Sequence, residues 1–371
     1  MIDDIALTLH PNIGPKTAAH LIGCFGSAGA VFNASPDELV GRAQLREDIV
    51  RQIARKPYHK EAEKELAFCR KNRIEVIASD SEFYPPMLRE CNDYPHVIYY
   101  KGEPAALQRR MLSVVGTRRM TSYGQRVCER IIGRLAEMFP DLVIVSGLAF
   151  GVDAAAHRTA LASGLATVGV LANPLTNISP AQHAMMAEEM ARRGGGVMSE
   201  YHSQSKDKGV TFVPRNRIIA GMSMGTLVVE SPEKGGALIT ANMAYGYDRC
   251  VMAVPGRVGD ASSAGTNALL VGKRAQMVCS AEDIARELMW EVADGTAAGS
   301  AAGSAAAGKD TAGLSRDAQG LLGCLPDGEA VSLDELMDVT GLSAPELAML
   351  VMELEFDGFL RVLPGKMYER A

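Results

Sequence analysis

Residues 142–151 read LVIVSGLAFG, a run of apolar β-forming residues that leads straight into a loop with two glycines. Three other segments, 112–115, 167–171 and 226–229, are apolar runs of similar length, and a segment with helical periodicity usually follows. Strands that are apolar on both faces and alternate with helices are typical of a parallel sheet with helices on both sides. The middle of the chain is therefore predicted to fold as a doubly wound, parallel α/β sheet.

A helix is predicted shortly after the first of these runs. Ser122 and Gln125 have the spacing of a capping box at the start of a helix. Apolar residues from Val127 to Met138 then recur every three or four positions, which is the stripe of a helix that packs on a core. We interpret this stripe as core and not as part of a functional site.

The composition limits the class of protein. The 371 residues suggest two or three domains, and the apolar fraction of 47% excludes wholesale disorder. The sequence has no run of 18 apolar residues and no basic-then-apolar leader, so a membrane span or a secretory signal is not expected. None of the seven cysteines stands in a C-x-x-C pair, which argues against a zinc ribbon or a disulfide framework and favours a reducing, cytoplasmic environment.

The net charge of −6 is unevenly distributed along the chain. Residues 1–80 have 11 basic and 11 acidic side chains, residues 81–290 have 22 and 19, and residues 291–371 have 5 and 14. The corresponding net charges are 0, +3 and −9. Because the acidity belongs to the tail, the middle segment can still form a local basic cleft.

Three loops that follow predicted strands have the composition of a phosphate site, and two of them also contain a cation. Their residues are Gly116, Thr117 and Arg118 in the first loop and Lys234, Gly235 and Gly236 in the second. Glycine permits close backbone approach, arginine offers a planar fork to phosphate, and a helix N-terminus attracts anions. A tight turn and a plain glycine-rich connection are the structural alternatives. The second loop lacks G-K-[ST] and is not a Walker loop.

The loop that contains Ser146 and Gly147 has the pattern G-x-x-x-G, which does not match the nicotinamide fingerprint G-x-G-x-x-G. Asp153 and His157 follow at positions i and i+4 of a predicted helix. On one helix face they could form an acid–base pair or ligate a metal. The alternative is a cap at the helix start beside a hydrogen-bonded core histidine.

A basic segment with one aromatic ring lies between these loops. It contains Lys206, Lys208, Phe212, Arg215, Asn216 and Arg217. Cations that track phosphates, next to a ring that stacks on a base, are typical of single-stranded nucleic-acid binding. A buried phenylalanine with salt-bridged arginines is the alternative. Since aromatic residues make up only 5% of the chain, base stacking would depend on very few rings.

Taken in order, these motifs resemble those of the bacterial DNA-processing protein A family, also called Smf. The resemblance covers residues 80–290 and includes YPPML at 84–88, VVGTR at 114–118, SGLAFGVD at 146–153, RNRIIAG at 215–221, KGGALIT at 234–240 and AVPG at 253–256. It implies an extended Rossmann-like domain with a mostly parallel sheet. It also implies a homodimer that binds and protects single-stranded DNA and loads the RecA recombinase in natural transformation, without a cofactor or a catalysed reaction.

The same resemblance implies which residues contact the DNA. They are Gly116, Thr117, Arg118, Ser146, Gly147, Arg215, Asn216, Arg217, Lys234, Gly235, Gly236 and Asn267, with Lys208 as a nearby cation and Phe212 as the base-stacking ring. Three places depart from the family pattern: Lys273 stands where the family usually has alanine, residues 172–174 (ANP) replace a glycine-rich turn, and Gly235 stands where the family usually has serine. The phosphate loop therefore lacks one hydroxyl donor.

The flanking regions match less specific patterns. Residues 1–78 are expected to form a helical, SAM-like accessory domain, because IGPK at 13–16 resembles a helix-hairpin-helix turn. The sheet domain is expected at 79–292, a Gly/Ala/Ser linker at 293–313 and a winged helix, similar to that of the family, at 314–371. Since the winged helix lies in the acidic segment, we expect it to contact a protein rather than DNA.

Two enzyme classes are alternatives to a DNA-binding protein. Nucleotide ribohydrolases of the lysine-decarboxylase-like fold have a related fold and use P-G-G-x-G-T-x-x-E, but KGGALIT at 234–240 has no glutamate at the matching place. A dinucleotide-dependent oxidoreductase would need the fingerprint that is missing here. Hydrolysis of a nucleoside monophosphate would support the first alternative, and binding of a nicotinamide cofactor would support the second.

Overall fold

The computed structural model describes residues 1–205, 212–291, 316–325, 330–343, 346–347, 350–351, 354, 359–363 and 367–370. The chain divides into two compact units, Met1–Ala293 and Asp294–Ala371, each of which is described by itself. Among the described residues, no helix combines the length and the apolar character needed to cross a bilayer.

The first unit begins with six short helices that pack around their own apolar core. They are α1 (Ile2–Leu9), α2 (Pro15–Phe25), α3 (Ala28–Asn33), α4 (Pro36–Ala43), α5 (Glu47–Ala54) and α6 (His59–Lys71). Leu7, Leu21, Leu39 and Ile53 lie in this core and are almost completely buried. Helices this short depend on such tertiary packing for their stability. The predicted helical N-terminal region is confirmed.

A nine-stranded sheet follows. Its strands are β1 (Glu75–Ala78), β2 (Val97–Gly102), β3 (Met111–Val115), β4 (Val143–Ser146), β5 (Ala166–Val170), β6 (Gly196–Ser199), β7 (Gly225–Val228), β8 (Cys250–Ala253) and β9 (Gln276–Met277), and their order in the sheet is β1-β2-β6-β5-β4-β3-β7-β8-β9. The strands from β6 to β9 are parallel, and β2 and β1 add an antiparallel edge. The mostly parallel, doubly wound sheet is confirmed, and the four predicted strands lie within one residue of their expected places.

Helices cover both faces of this sheet. They are α7 (Pro86–Arg89), α8 (Ser122–Met138), α9 (Val152–Ala162), α10 (Ala184–Arg192), α11 (Phe212–Met222), α12 (Gly236–Gly246), α13 (Ala264–Val271) and α14 (Ala281–Glu287), with short 3-10 helices at Pro104–Gln108 and Ala181–His183. On one face, α8, α9 and α14 bury Ile131, Ala156 and Ile284. On the other face, α11 and α12 bury Ile219 and Ala241. Because α9 follows β4 and α12 follows β7, both helices start at the edge where these strands end. Since α11 ends just before β7 begins, α11 starts at the same edge.

The sheet starts earlier than expected. β1 pairs with β2 in antiparallel register, with Val76 opposite Tyr99. The four residues of β1 therefore belong to the sheet, although the sequence places the domain boundary after residue 78. The helices and the sheet together form the compact unit Met1–Ala293.

The predicted start of α8 is wrong by one residue. Thr121, and not Ser122, is the N-cap, and its hydroxyl accepts a hydrogen bond from the Gly124 N–H at 3.2 Å. The predicted core stripe of this helix is confirmed, because Val127 is buried and Met138 is partly buried against the same core. The helix phase follows from its apolar stripe, whereas the N-cap does not, since neighbouring threonine and serine residues can both cap a helix.

The second unit contains α15 (Arg316–Cys324), α16 (Leu333–Thr340) and the strands β10 (Val331–Ser332), β11 (Leu360–Leu363) and β12 (Met367–Arg370). The strands form an antiparallel sheet in the order β10-β12-β11. Leu321, Leu336, Leu360 and Tyr368 lie in its core. Helices packed with a small antiparallel sheet are the expected winged-helix arrangement. The predicted linker at 293–313 lies outside the described residues.

Candidate nucleic-acid interface

A cavity of 320 Å³ opens where β3 and β7 end, and we call it the cleft. Its walls are the loop after β3, the first residues of α11 and the loop that leads from β7 into α12. Ligands of open parallel sheets bind at this edge. Eight of the residues predicted from the sequence line it, namely Gly116, Thr117, Arg118, Phe212, Arg215, Asn216, Gly235 and Gly236.

The loop after β3 is held in place by its backbone. A Cβ atom on Gly116 would lie 2.4 Å from Val152 Cγ2 and 2.9 Å from the Glu230 carbonyl oxygen, so glycine is needed here. The Thr117 N–H donates to the Glu230 carbonyl at 2.8 Å, and the Val152 N–H donates to the Thr117 carbonyl at 3.1 Å. Arg118 is exposed on this fixed backbone.

Glu230 stabilises the same loop and is not among the residues predicted from the sequence. Its buried carboxylate accepts hydrogen bonds from the Thr121 N–H at 2.9 Å and from the Thr121 hydroxyl. The partners are 109 positions apart in the chain, so no local pattern indicates the contact. The available signal was an acidic residue directly after an apolar strand, since a charge at such a place is buried only with partners.

The Asp153 carboxylate organises the loop after β4. Its Oδ2 accepts hydrogen bonds from the Gly147 N–H at 3.1 Å and the Ala149 N–H at 3.4 Å. Burial raises the pKa of Asp153, and the positive charge of Arg215 and the two N–H donors counteract this rise. Although Asp153 lines the cleft, its oxygen is engaged by backbone groups. The cap interpretation is therefore wrong, because Gly151 is the N-cap of α9 and Asp153, the second residue of the helix, holds the preceding loop instead.

His157 is fully buried and belongs to the core. Its Nδ1–H donates to the Thr167 hydroxyl at 2.7 Å, and that hydroxyl donates to the Ile144 carbonyl at 2.7 Å. Burial lowers the pKa of His157 to about 3, so the ring is neutral at pH 7. His157 therefore has its own partner and is not paired with Asp153. Among the residues that the structure describes, there is no group of three side chains that could hold a metal ion.

Arg215 lies at the base of the cleft and is only 4% exposed. Its Nη1 donates to the Gly147 carbonyl at 2.7 Å and to the Val170 carbonyl, and its Nε donates to Asn216 Oδ1 at 3.2 Å. Burial lowers the pKa of Arg215 to about 10, and the negative charge of Asp153 opposes this effect. Arg215 is therefore a buried cation that joins α11 to the ends of β4 and β5.

An aromatic ring and a cation meet at the mouth of the cleft. The Arg118 guanidinium lies 5.1 Å from the centre of the Phe212 ring, which is a cation–π contact. Phe212 is 40% exposed at the first residue of α11. A half-exposed ring can stack on a base while the neighbouring guanidinium meets a phosphate.

The N-terminus of α12 faces the same cavity. Gly235 is the N-cap and supplies no side-chain cap, while Gly235, Gly236 and Ala237 all line the cleft. Uncapped N–H groups at the start of an 11-residue helix attract an anion. A Cβ atom on Gly235 would lie 2.2 Å from Ser231 Oγ, so a serine at 235, as in the family pattern, would require the Ser231 side chain to rotate.

Several predicted residues do not line the cleft. The Ser146 hydroxyl donates to the Val114 carbonyl at 2.6 Å within the sheet. The Asn267 amide closes the loop after β8, because its Oδ1 accepts from the Gly256 N–H at 3.0 Å and its Nδ2 donates to the Gly256 carbonyl at 3.1 Å. The Gly147 carbonyl accepts a hydrogen bond from Arg215 Nη1. Lys234 is exposed directly before Gly235, which lines the cleft. Lys206 and Lys208 lie outside the described residues.

Arg217 requires a correction, because the structure places it on the opposite side of α11. Its Nη2 forms a buried ion pair with Glu200 Oε2, and its Nη1 donates to the Asp93 carbonyl at 2.7 Å. The salt-bridged alternative considered for the arginines of this segment therefore holds for Arg217. Its side chain stabilises the scaffold and does not line the cleft.

Comparison with known proteins identifies the family. Residues 75–289 match the family model for DNA recombination-mediator protein A, and residues 305–366 match the DprA winged helix domain. The chain belongs to the DNA recombination-mediator protein A (DprA/Smf) family. The first match covers the whole cleft, and the second supports the winged-helix assignment of the C-terminal unit.

Relatives agree with this membership. Protein Smf of Escherichia coli is 33% identical over 316 residues, which are 82% of this chain and 80% of the relative. The X-ray structure of DprA from Streptococcus pneumoniae is 27% identical, has a TM-score of 0.66 and covers 77% of this chain and 98% of its own. The structure of DprA from Helicobacter pylori, described as having a unique single-stranded DNA binding mode, is 27% identical with a TM-score of 0.52 and covers 58% of this chain and 96% of its own.

Proposed function

We propose that this member of the DprA/Smf family binds single-stranded DNA in the cleft, protects incoming DNA and loads the RecA recombinase on it during natural transformation. The observation that carries the proposal is the convergence of an exposed arginine, a half-exposed aromatic ring and an uncapped helix N-terminus around one cavity. The single-stranded DNA binding mode described for the Helicobacter pylori relative supports the same ligand.

Each group of the cleft fits one part of a nucleotide. The N–H groups at the start of α12 and the Arg118 guanidinium suit phosphate oxygens. The Phe212 ring suits a base, since every base has a face that stacks on an aromatic ring. Neither contact reads the edge of a base, so we expect binding without strong sequence preference.

A binding protein fits the cleft better than a hydrolase does. The carboxylate among the described lining residues is Asp153, whose Oδ2 accepts two backbone hydrogen bonds. A hydrolase of nucleoside monophosphates needs an acidic side chain that can reach the sugar. Because Asp153 supports the loop after β4 instead, we propose that the chain is not an enzyme and needs no cofactor.

We also propose that the chain forms a homodimer through the β9 edge of its sheet. β9 is the last strand in the sheet order. Met277 lies on β9 and Val271 lies at the end of α13, just before it, and both apolar side chains are exposed. The Arg274 guanidinium contacts the exposed Tyr245 ring at 6.0 Å, which connects α12 to this edge. An open strand edge flanked by apolar side chains favours association. Met277→Lys should shift the protein toward monomer in sedimentation velocity, whereas an unchanged dimer would place the interface elsewhere.

The single-stranded DNA assignment is tested by the salt dependence of binding. If Arg118 and Lys234 each neutralise one phosphate, replacing either with alanine should reduce the slope of log affinity against log salt by about 0.7. Phe212→Ala should weaken binding while the slope stays nearly the same, because stacking releases no counterions. The measurement is fluorescence anisotropy of oligo-dT at several salt concentrations.

Arg192→Ala is the matched control for these variants. Arg192 is exposed at the end of α10, which leads into the start of β6 and so lies at the opposite edge of the sheet. Its replacement removes the same charge but should leave the affinity and the slope unchanged. If Arg118→Ala and Lys234→Ala both behave like Arg192→Ala at every salt concentration, the cleft is not the DNA site.

A further inference from the structure

Phe150 is a second exposed aromatic ring beside the cleft. It lies in the loop between β4 and α9 and is 47% exposed. The preceding residue, Ala149, lines the cleft. A Cβ atom on the following residue, Gly151, would lie 2.2 Å from the Thr117 carbonyl oxygen and 2.8 Å from Arg118 Cα, so this stretch contacts the loop after β3 directly.

The position of the Phe150 ring is fixed by its neighbours. The ring meets the buried His183 ring edge-on, with centroids 5.0 Å apart and an angle of 64° between the planes. His183 is itself held, because its Nδ1–H donates to the Leu148 carbonyl at 2.8 Å. Leu148 is completely buried and has a φ of 56°. A ring that is half exposed yet held in one place loses little conformational entropy on binding a ligand.

We infer that Phe150 is a second base-stacking site, which receives a base of the single strand next to the nucleotide in the cleft. The inference rests on the proposed function, since it extends the path of the same DNA. Arg118 and Arg119 are exposed on the loop that Gly151, the residue after Phe150, contacts. Cations that alternate with exposed rings are the usual design of sequence-tolerant single-strand sites.

Two stacking rings define a path for the DNA across the edge of the sheet. Phe212 begins α11 on one face of the sheet, whereas Phe150 precedes α9 on the other face. Arg118 contacts the Phe212 ring, and its backbone contacts the stretch after Phe150. A strand that stacks on both rings therefore crosses the loop after β3, which brings its phosphates past Arg118.

The test compares Phe150→Ala with Phe83→Ala. Phe83 is a similarly exposed ring, 38% accessible, but it follows β1, which is four strands away from β4 in the sheet order. Four strand spacings are about 19 Å. Phe150→Ala should weaken binding of a 20-nucleotide oligo-dT by roughly fivefold to hundredfold, with an unchanged salt slope. Phe83→Ala should bind like the parent.

An abasic strand separates stacking from a structural effect. On an abasic oligonucleotide of the same length, the parent protein and Phe150→Ala should bind equally, because no base is present to stack. Phe150→Trp should retain the affinity for oligo-dT, and its fluorescence should be quenched on binding. The only natural tryptophan, Trp290, is buried against Phe139 and supplies a constant background.

Two results would overturn the inference. One is binding of oligo-dT by Phe150→Ala at the parent level, and the other is an equal loss of affinity on the abasic strand. If Arg118→Ala weakens binding while Phe150→Ala does not, the proposed function stands and only the second stacking site fails. If the parent protein does not bind oligo-dT at all, the proposed function itself fails.

Discussion

Substitution of Gly236 should weaken the proposed DNA binding with little effect on folding. It is the first residue of α12, it lines the cleft, and a Cβ atom built on it meets no heavy atom within 4 Å. Gly236→Ala should therefore be accepted by the fold without strain. The added methyl group would occupy space beside the uncapped N–H groups where a phosphate is proposed to approach.

The expected loss of affinity follows from the contacts that the methyl group would block. A hydrogen bond to a charged group contributes roughly 1.5–3 kcal/mol. Losing one phosphate contact should thus weaken oligo-dT binding by at least about tenfold, since 1.4 kcal/mol corresponds to a factor of ten. The free energy of unfolding in urea should change by less than about 0.5 kcal/mol, as expected for a substitution that removes no native contact.

Two other glycines provide the comparison. A Cβ atom on Gly147 would lie 2.7 Å from both Asp153 Oδ2 and Arg215 Nη2, so Gly147→Ala should cost about 1–3 kcal/mol of stability through overpacking. Gly133 lies inside α8 with its nearest neighbour at 4.0 Å, so Gly133→Ala should add about 0.5–1 kcal/mol of stability and leave binding unchanged. Parent-level binding by Gly236→Ala would refute a phosphate at the start of α12.

Two further predictions concern the tail and the pH dependence of stability. Cutting the chain after Asp294 removes most of the segment with net charge −9 and should leave the affinity for oligo-dT equal or slightly higher by anisotropy; a large loss would mean that the winged helix contacts DNA. Because burial lowers the pKa of His157 to about 3 in the folded state, the unfolded chain binds more protons between pH 6.5 and 3, and stability falls as the pH falls through this window. Urea unfolding at pH 7 and pH 5 should show a loss of up to about 2 kcal/mol from this group, and a variant such as His157→Asn should lose correspondingly less.

The arginines of α11 show what could be predicted from the sequence and what could not. Phe212, Arg215, Asn216 and Ile219 all line the cleft, and their spacing of i, i+3, i+4 and i+7 is one face of a helix. Arg217, two positions after Arg215, must point elsewhere on a helix. The resemblance to the family implies Arg217 as a DNA contact together with its neighbours, and it does not take the phase of the helix into account.

The buried strands were predictable for a different reason. Each lies inside the sheet with both faces covered, so almost every residue is apolar and the run stands out from its surroundings. The edge strand β9 has only two residues, both exposed, and it leaves no such pattern. Polar side chains whose partners are distant in the chain leave no recognisable sequence pattern either. Glu230 and Thr121 meet only because β7 lies beside β3 in the sheet.

The residues of the cleft fall into two groups: buried residues that hold its loops in place, and exposed residues that can contact a phosphate. Arg215 and Asp153 are buried, their opposite charges favour each other, and most of their hydrogen bonds go to backbone groups of the neighbouring loops. Charges that are paired in this way add little to the attraction of a phosphate from solvent. That attraction must come from exposed cations such as Arg118 and from the N–H groups beside Gly236. The salt dependence of DNA affinity therefore reports on the exposed cations, and the free energy of unfolding reports on Arg215 and Asp153. The two measurements together distinguish the residues that hold the cleft in place from the residues on its surface.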